Sequence, residues 1–375
     1  MKIGFAGRWS PLNKKSWSGT YYYSYQQLQK YATTEIFEFP FPSLLKNYLI
    51  QFYKNPNKWF FGKNTAVEFL KPYAKHYSRQ LEKALLKHKV DVLFVPAAPQ
   101  LIAYLDASLP IVFLTDATFQ QIQGYYDTWQ NFASSNIKQG IELDRRAFEK
   151  ATHCMLASDW CRNSAIQDYK LTEQKISVAP LGANLDYIPA ATEINYERSG
   201  CNLLFLGVEW KRKGGDIALQ AFRVLKQNRI DVSLHIIGCT PPEAISEKGI
   251  TVIPFLDKNK PADREQLHRI LLSTDFLLLP TRAEAAGVVF CEASAYGIPS
   301  ISTRTGGVPT YVRDHINGLL LPEAADGFGY ADEILKLYAN TRKMSELRKS
   351  SRSFYETSLN WDAWGNSFNN IIQKI

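Results

Sequence analysis

Two glutamates separated by seven residues, Glu284 and Glu292, flank the turn Glu-Ala-Ala-Gly-Val-Val-Phe-Cys-Glu. The apolar run before it closes at Pro280 and predicts a buried strand. A loop then carries Glu284 and Gly287, and a helix is expected to begin near Val288 with Glu292 in its early turns. Glycine lets a backbone approach a ligand, and a helix start offers amide hydrogens with no intrahelical partner. That combination suits a diphosphate. The two carboxylates would repel phosphate, so they read better as acceptors for hydroxyl groups on either side of it. The bland alternative is a pair of helix-start acids favoured by the dipole.

A second group is cationic. After the apolar run 203–206 comes Gly207-Val208-Glu209-Trp210-Lys211-Arg212-Lys213-Gly214-Gly215. Three consecutive cations before a helix are unfavourable there. A bound diphosphate would remove that penalty through charge-assisted bonds; a solvated basic loop is the competing account. No Asp-x-Asp motif occurs, so Arg212 and Lys213 are expected to neutralise phosphate in place of a divalent metal. No metal site is expected.

These residues must be held by strands. Short apolar runs at 3–6, 92–95, 111–114, 154–156 and 176–179 alternate with amphipathic stretches, among them 21–31 and 142–150. Ser158 is placed to cap another helix. After residue 183 the rhythm restarts with 203–206, 234–237, 252–255, Phe276–Leu279, 300–302 and Gly318–Leu321. Alternating strands and helices predict parallel sheets covered on both faces, that is, an α/β fold with two doubly wound, Rossmann-like domains. The expected division is 1–183 and 184–360. The stretch 361–375 has apolar residues at helical spacing (Trp361, Trp364, Phe368, Ile371, Ile372) and needs a surface to cover it.

The 375 residues suffice for two domains. No run of 18 apolar residues occurs, and the start of the chain reads as a strand rather than a signal peptide. The five cysteines are scattered and show no metal spacing, which fits a reducing, cytoplasmic setting. Charge is uneven: residues 1–183 hold 22 Lys+Arg against 14 Asp+Glu, and the remainder holds 22 of each, so the whole formal charge of +8 lies in the first half. That is either a solvated surface or an attraction for an anionic partner, such as a membrane face or an acidic acceptor. No nucleic-acid-binding motif accompanies it. The segment 46–63 is basic and aromatic, suited to a membrane face or to plain packing.

The Glu284/Glu292 pair in its setting Glu-Ala-Ala-Gly-Val-Val-Phe-Cys-Glu-Ala-Ser-Ala-Tyr-Gly-Ile-Pro is followed by Gly306-Gly307-Val308-Pro309 and Asn317-Gly318-Leu319-Leu320. It resembles the Glu-x7-Glu motif of the large fourth family of retaining, GT-B glycosyltransferases. The resemblance is specific from about 203 to 321. It implies two Rossmann-like domains facing a central cleft, with the last helix (361–375) crossing back to the first domain. It implies that a nucleotide sugar, UDP-sugar foremost, is a substrate rather than a cofactor, and that no cofactor is needed. Glu284 would bind the transferred sugar and Glu292 the ribose. Gly287, Val288 and Val289 would hold the diphosphate, and Gly238 and Phe255 would lie by the base. Lys213 matches the family's lysine; Val208 stands where its arginine is usual. Gly19 and Thr20 match the family's Gly-rich turn after the first strand, which approaches the donor phosphate and the acceptor; a plain helix cap by Ser18 is the alternative. Asp116 matches the aspartate of the family's His-Asp pair, with Thr115 in the histidine's place; Asp116 either orients a sugar or caps a strand end. The acceptor, a carbohydrate, lipid-linked or other hydroxyl compound, is expected on the first domain. The expected product belongs to polysaccharide, glycolipid or cell-wall glycan synthesis. A sugar-nucleotide epimerase, a phosphorylase-type enzyme and a non-catalytic binding subunit are the alternatives.

Overall fold

The computed structural model describes residues 1–40 and 62–375, and divides into two units, Met1–Ala179 with Gly365–Ile375, and Pro180–Trp364. The basic, aromatic stretch 46–61 lies outside the described residues. Lys63 is described, and its ammonium donates to Asn131 Oδ1 at 2.8 Å.

The first unit is built on strands β1 (Lys2–Gly7), β2 (Thr33–Glu38), β3 (Val92–Pro96), β4 (Ile111–Thr115), β5 (His153–Leu156) and β6 (Ile176–Val178). They form one sheet in the order β2-β1-β3-β4-β5-β6, every pairing parallel. β3 and β4 are buried along their whole length, which is why they read as unbroken apolar runs rather than as alternation. Helices supply the crossovers. Helix Lys71–Lys87 turns Tyr73, Ala74, Tyr77, Ser78 and Leu81 inward at three- and four-residue spacing, the stripe a sheet-covering helix requires. Ser158 caps helix Asp159–Gln167, its hydroxyl accepting from Cys161 N at 3.2 Å.

The second unit repeats the plan with β7 (Cys201–Leu206), β8 (Val232–Ile237), β9 (Ile250–Ile253), β10 (Phe276–Leu279), β11 (Ser300–Thr303) and β12 (Gly318–Leu321). The order is β12-β11-β10-β7-β8-β9, again wholly parallel. In chain order β7, β8 and β9 run outward one way. The chain then returns, and β10, β11 and β12 run outward the other way. The reversal lies between β7 and β10.

Several boundaries differ from those read in the sequence. The strand expected at 252–255 is Ile250–Ile253. Its partner β8 ends before Gly238, in the register Ile237↔Ile253, so there is no ladder for Phe255 to join, and that side chain is 61% exposed. β2 was not anticipated: its Thr-Thr-Glu-Ile-Phe-Glu is a polar edge strand without an apolar run. The helix expected at 142–150 begins at Ser134. Helix Trp361–Ile372 is divided between the units. Trp361 and Trp364 group with the second, and Gly365 onward groups with the first. There Phe368 is fully buried and meets Phe94 of β3 edge to face at 5.5 Å.

Candidate functional site

Doubly wound sheets bind ligands beyond the carboxyl ends of the strands where the winding reverses. In the second unit that point lies between β7 and β10, and the two motifs of the sequence occupy it. The loop 207–214 leads from β7 into helix Gly215–Gln227, and the loop 280–287 leads from β10 into helix Val288–Ala295. The backbone stitches them together. Arg282 N donates to Arg212 O at 2.7 Å. Gly214 has φ +75°, and a Cβ on it would lie 2.0 Å from Pro280 O. That position needs glycine for its conformation and for its clearance.

This close approach brings opposite charges into register. The Lys213 ammonium donates to Glu284 Oε2, and both residues are 8% exposed. Arg212 sits alongside, its Nη1 3.8 Å from Glu284 Oε2 and donating to Ala283 O at 2.7 Å. Arg212 Nη2 donates to Glu209 Oε1 at 3.0 Å, which draws the Glu209 carboxyl below its usual range. Arg212 therefore braces both loops. Gly307 N donates to Glu284 O at 2.8 Å, fixing the glutamate's backbone to the loop after β11. Burying an ion pair costs desolvation that its attraction barely offsets, so stability alone is a poor account of Lys213 and Glu284.

Helix Val288–Ala295 begins at buried Gly287, and no side chain caps it. Its first amides, those of Val288 and Val289, have no intrahelical carbonyl to meet. Glu292 follows in the second turn, 3% exposed, with Oε1 2.5 Å from the Lys258 ammonium. Lys258 also donates to Asn184 O at 3.2 Å. Gly238 follows β8 and donates its N–H to Ile253 O at 3.1 Å. Phe255 follows β9. These two therefore stand on the same strand-end edge as the charged pair, farther out along the sheet.

Lys258 was not anticipated. It sits in Asp257-Lys258-Asn259-Lys260, where one lysine looks like another. The usable signal was position, since its loop follows a strand of the same sheet, as do the loops carrying Lys213 and Glu284.

In the first unit Gly19 ends a left-handed run, Trp17 (φ 46°), Ser18 (φ 55°) and Gly19 (φ 97°), and is the N-cap of helix Thr20–Tyr31. The N-cap position weighed for Ser18 falls instead to Gly19, which has no side chain to offer. Gly19 and Thr20 are both buried. Asp116 follows β4 and is partly exposed. Beside it the Thr115 hydroxyl donates to Ala117 O at 2.8 Å. Tyr21 bridges the ends of β1 and β3, its hydroxyl donating to Pro96 O at 2.7 Å. Among the described residues no cluster of His, Cys, Asp or Glu could hold a metal ion, and no helix is long and apolar enough to cross a membrane. All five cysteines are buried and free of disulfides.

Residues 200–340 match the family described as Glycosyl transferases group 1. The D-inositol 3-phosphate glycosyltransferase of Segniliparus rotundus is 26% identical over 213 residues, 52% of this chain and 46% of that protein. The lipopolysaccharide glucosyltransferase WaaG of Escherichia coli is 25% identical over 233 residues, 57% of this chain and 61% of that protein. The chain thus spans about half the length of the curated relatives it matches. Among solved structures, Anabaena HepE in complex with UDP and glucose superposes with a TM-score of 0.65 over the full length of both chains at 15% identity, a likeness of fold. The two parallel six-stranded sheets with their helices are the α/β two-domain fold of GT-B glycosyltransferases.

Proposed function

We propose that this chain, whose residues 200–340 match the glycosyl transferases group 1 family, moves a hexosyl group from a nucleoside-diphosphate sugar, UDP-sugar foremost, to an acceptor hydroxyl. The observation that carries the reading is the buried Lys213–Glu284 pair at the β7/β10 reversal, next to an uncapped helix start. An entering diphosphate competes for Lys213 with two charges against one. It releases Glu284 to accept from hydroxyls of the transferred sugar. The amides of Val288 and Val289 take the phosphate oxygens, and Glu292 accepts from the ribose. Gly238 and Phe255 flank the base.

In the transfer, the bond from the anomeric carbon to the phosphate oxygen breaks and a bond to the acceptor oxygen forms. The acceptor proton goes to the departing phosphate. Retention through same-face attack is what the family resemblance implies, since no carboxylate is assigned beneath the anomeric carbon for a double displacement. Lys213 and the helix start stabilise charge growing on the leaving diphosphate, with Arg212 bracing the loop, and this chemistry asks nothing of a divalent metal. The acceptor belongs to the first unit, near Gly19, Thr20 and Asp116. The positive excess of residues 1–183 suits an acidic or lipid-linked acceptor and contact with an anionic membrane face at the cytoplasmic side.

The test is a thermal-shift screen of nucleoside diphosphates and their sugars, then product analysis with carbohydrate and lipid-linked acceptors, with and without chelator. The reading expects stabilisation by one nucleotide class and acceptor-dependent transfer with the anomeric configuration kept, unaffected by chelator. Donor isomerised without acceptor would point to an epimerase, and binding without turnover to a non-catalytic subunit. Activity abolished by chelator and restored by magnesium or manganese would overturn the metal-free arrangement.

A further inference from the structure

Glu292 poses a physical problem. At 3% exposure a carboxylate needs a partner for its oxygens, and to accept from two ribose hydroxyls it must be correctly turned. Lys258 supplies both conditions. Its ammonium engages Oε1 at 2.5 Å, while Oε2 accepts no hydrogen bond from the described residues. Lys258 is itself held at several points. Its ammonium donates to Asn184 O at 3.2 Å, and its carbonyl accepts from Arg264 Nη1 at 3.0 Å. Arg264 Nε in turn lies 3.6 Å from Asp186 Oδ2. The preceding residue, Asp257, donates its N–H to Asp263 Oδ2 at 2.8 Å, closing the loop onto helix Pro261–Ser273. Asn184 is 1% exposed, and its Oδ1 accepts from Trp361 Nε1 at 3.0 Å. A lysine on a surface loop would normally lose much side-chain freedom to hold one geometry; here the backbone and its acceptors are already fixed.

We propose that Lys258 is the positioning residue of the nucleotide site: it holds Glu292 turned so that the carboxylate accepts from the ribose hydroxyls, without itself binding phosphate. The proposal rests on the donor-site reading given above and deepens it at the ribose end. Lys258 differs from Lys213 in the part of the nucleotide it serves. Lys213 meets the diphosphate, so its loss is felt by any diphosphate ligand. Lys258 acts through Glu292, so its loss is felt only by a ligand that carries ribose hydroxyls.

Calorimetry on the full chain with UDP, 2′,3′-dideoxy-UDP and inorganic pyrophosphate separates these roles, with GDP and ADP run beside UDP to cover the choice of base. Lys258→Met is expected to weaken UDP about tenfold to a hundredfold, the worth of a charged hydrogen bond. It should leave dideoxy-UDP and pyrophosphate at wild-type affinity, and Lys258→Arg should restore most of the UDP affinity. Equal loss for UDP and dideoxy-UDP would overturn the proposal, because the lysine would then be acting on phosphate, base or folding. Unchanged UDP binding in Lys258→Met, while Glu292→Ala loses it, would overturn it as well and leave the donor site standing. Unchanged UDP binding in Glu292→Ala itself would remove the ribose role of Glu292 and sink the donor-site reading beneath.

Discussion

The two units are wound alike, yet they handle the point of reversal in opposite ways. In the second, the bridge from the loop after β7 to the loop after β10 is an ion pair, Lys213 with Glu284. In the first, the bridge from the helix after β1 to the end of β3 is a neutral bond, Tyr21 hydroxyl to Pro96 O. Burial pushes the Tyr21 hydroxyl well above its ordinary value, so it stays uncharged. A neutral hydrogen bond between buried groups holds strands at little electrostatic cost. A buried ion pair does the same work at greater cost. The scaffold decides where a ligand can approach, and the placing of buried charge decides which of two equivalent places is built for an anion.

Removing a buried charge should therefore hurt the second unit most. Asp275, fully buried, accepts from Asn202 N at 2.8 Å and pairs with Arg348 at 2.5 Å and Arg198 at 3.0 Å. Asp275→Ala leaves two guanidiniums uncompensated and is expected to cost about 3–5 kcal/mol in urea unfolding. A loss under about 1 kcal/mol would mean that the second unit tolerates unpaired charge, contrary to the contrast drawn here. Lys213→Ala should lower turnover about a hundredfold to a thousandfold with a much smaller fall in melting temperature. If the two fell in proportion, the pair would be structural and the two bridges equivalent.

The first unit has its own buried acid, and it sharpens the contrast. Burial pushes the Asp144 carboxyl up to about 7, against the opposing pull of hydrogen bonds from Phe119 N (2.5 Å) and the Tyr169 hydroxyl (3.5 Å). In the unfolded chain the group releases its proton near pH ~4. Between those values the folded form binds more protons, so its stability falls as pH rises from about 4 to about 7. The contribution is complete below that window and lost above it. Hydrogen exchange at the Phe119 amide across pH 4–8 should follow this slope, and Asp144→Asn should flatten it. The smallest effect belongs to Tyr21→Phe, expected to cost about 1 kcal/mol and to leave nucleotide affinity unchanged. A loss of nucleotide binding there would give the first unit a role in the donor site.

Lys213, Glu284 and Glu292 could be picked out of the sequence because each lies in a local pattern: consecutive cations after an apolar run, and carboxylates at fixed spacing around a glycine. The buried strands were legible for a related reason, since a strand covered on both faces must be apolar throughout. β2 escaped because an edge strand is covered less and its composition is mixed. Lys258 escaped because its meaning is tertiary: 34 positions separate it from Glu292, and only the fold brings its loop to the helix that carries Glu292. The left-handed run at Trp17 and Ser18 was equally hidden, for neither residue advertises a positive φ.

The division of helix Trp361–Ile372 between the units bears on how the chain is made. Gly365–Ile375 belongs to the first unit, and Phe368 covers Phe94 there, 274 positions away in the sequence. A chain emerging from the ribosome folds its leading domain first where it can. Here the first-synthesised sheet must wait for residues made after the whole second unit. Until then the apolar surface around Phe94 lacks its cover, and the nascent first unit is the part a chaperone should hold longest.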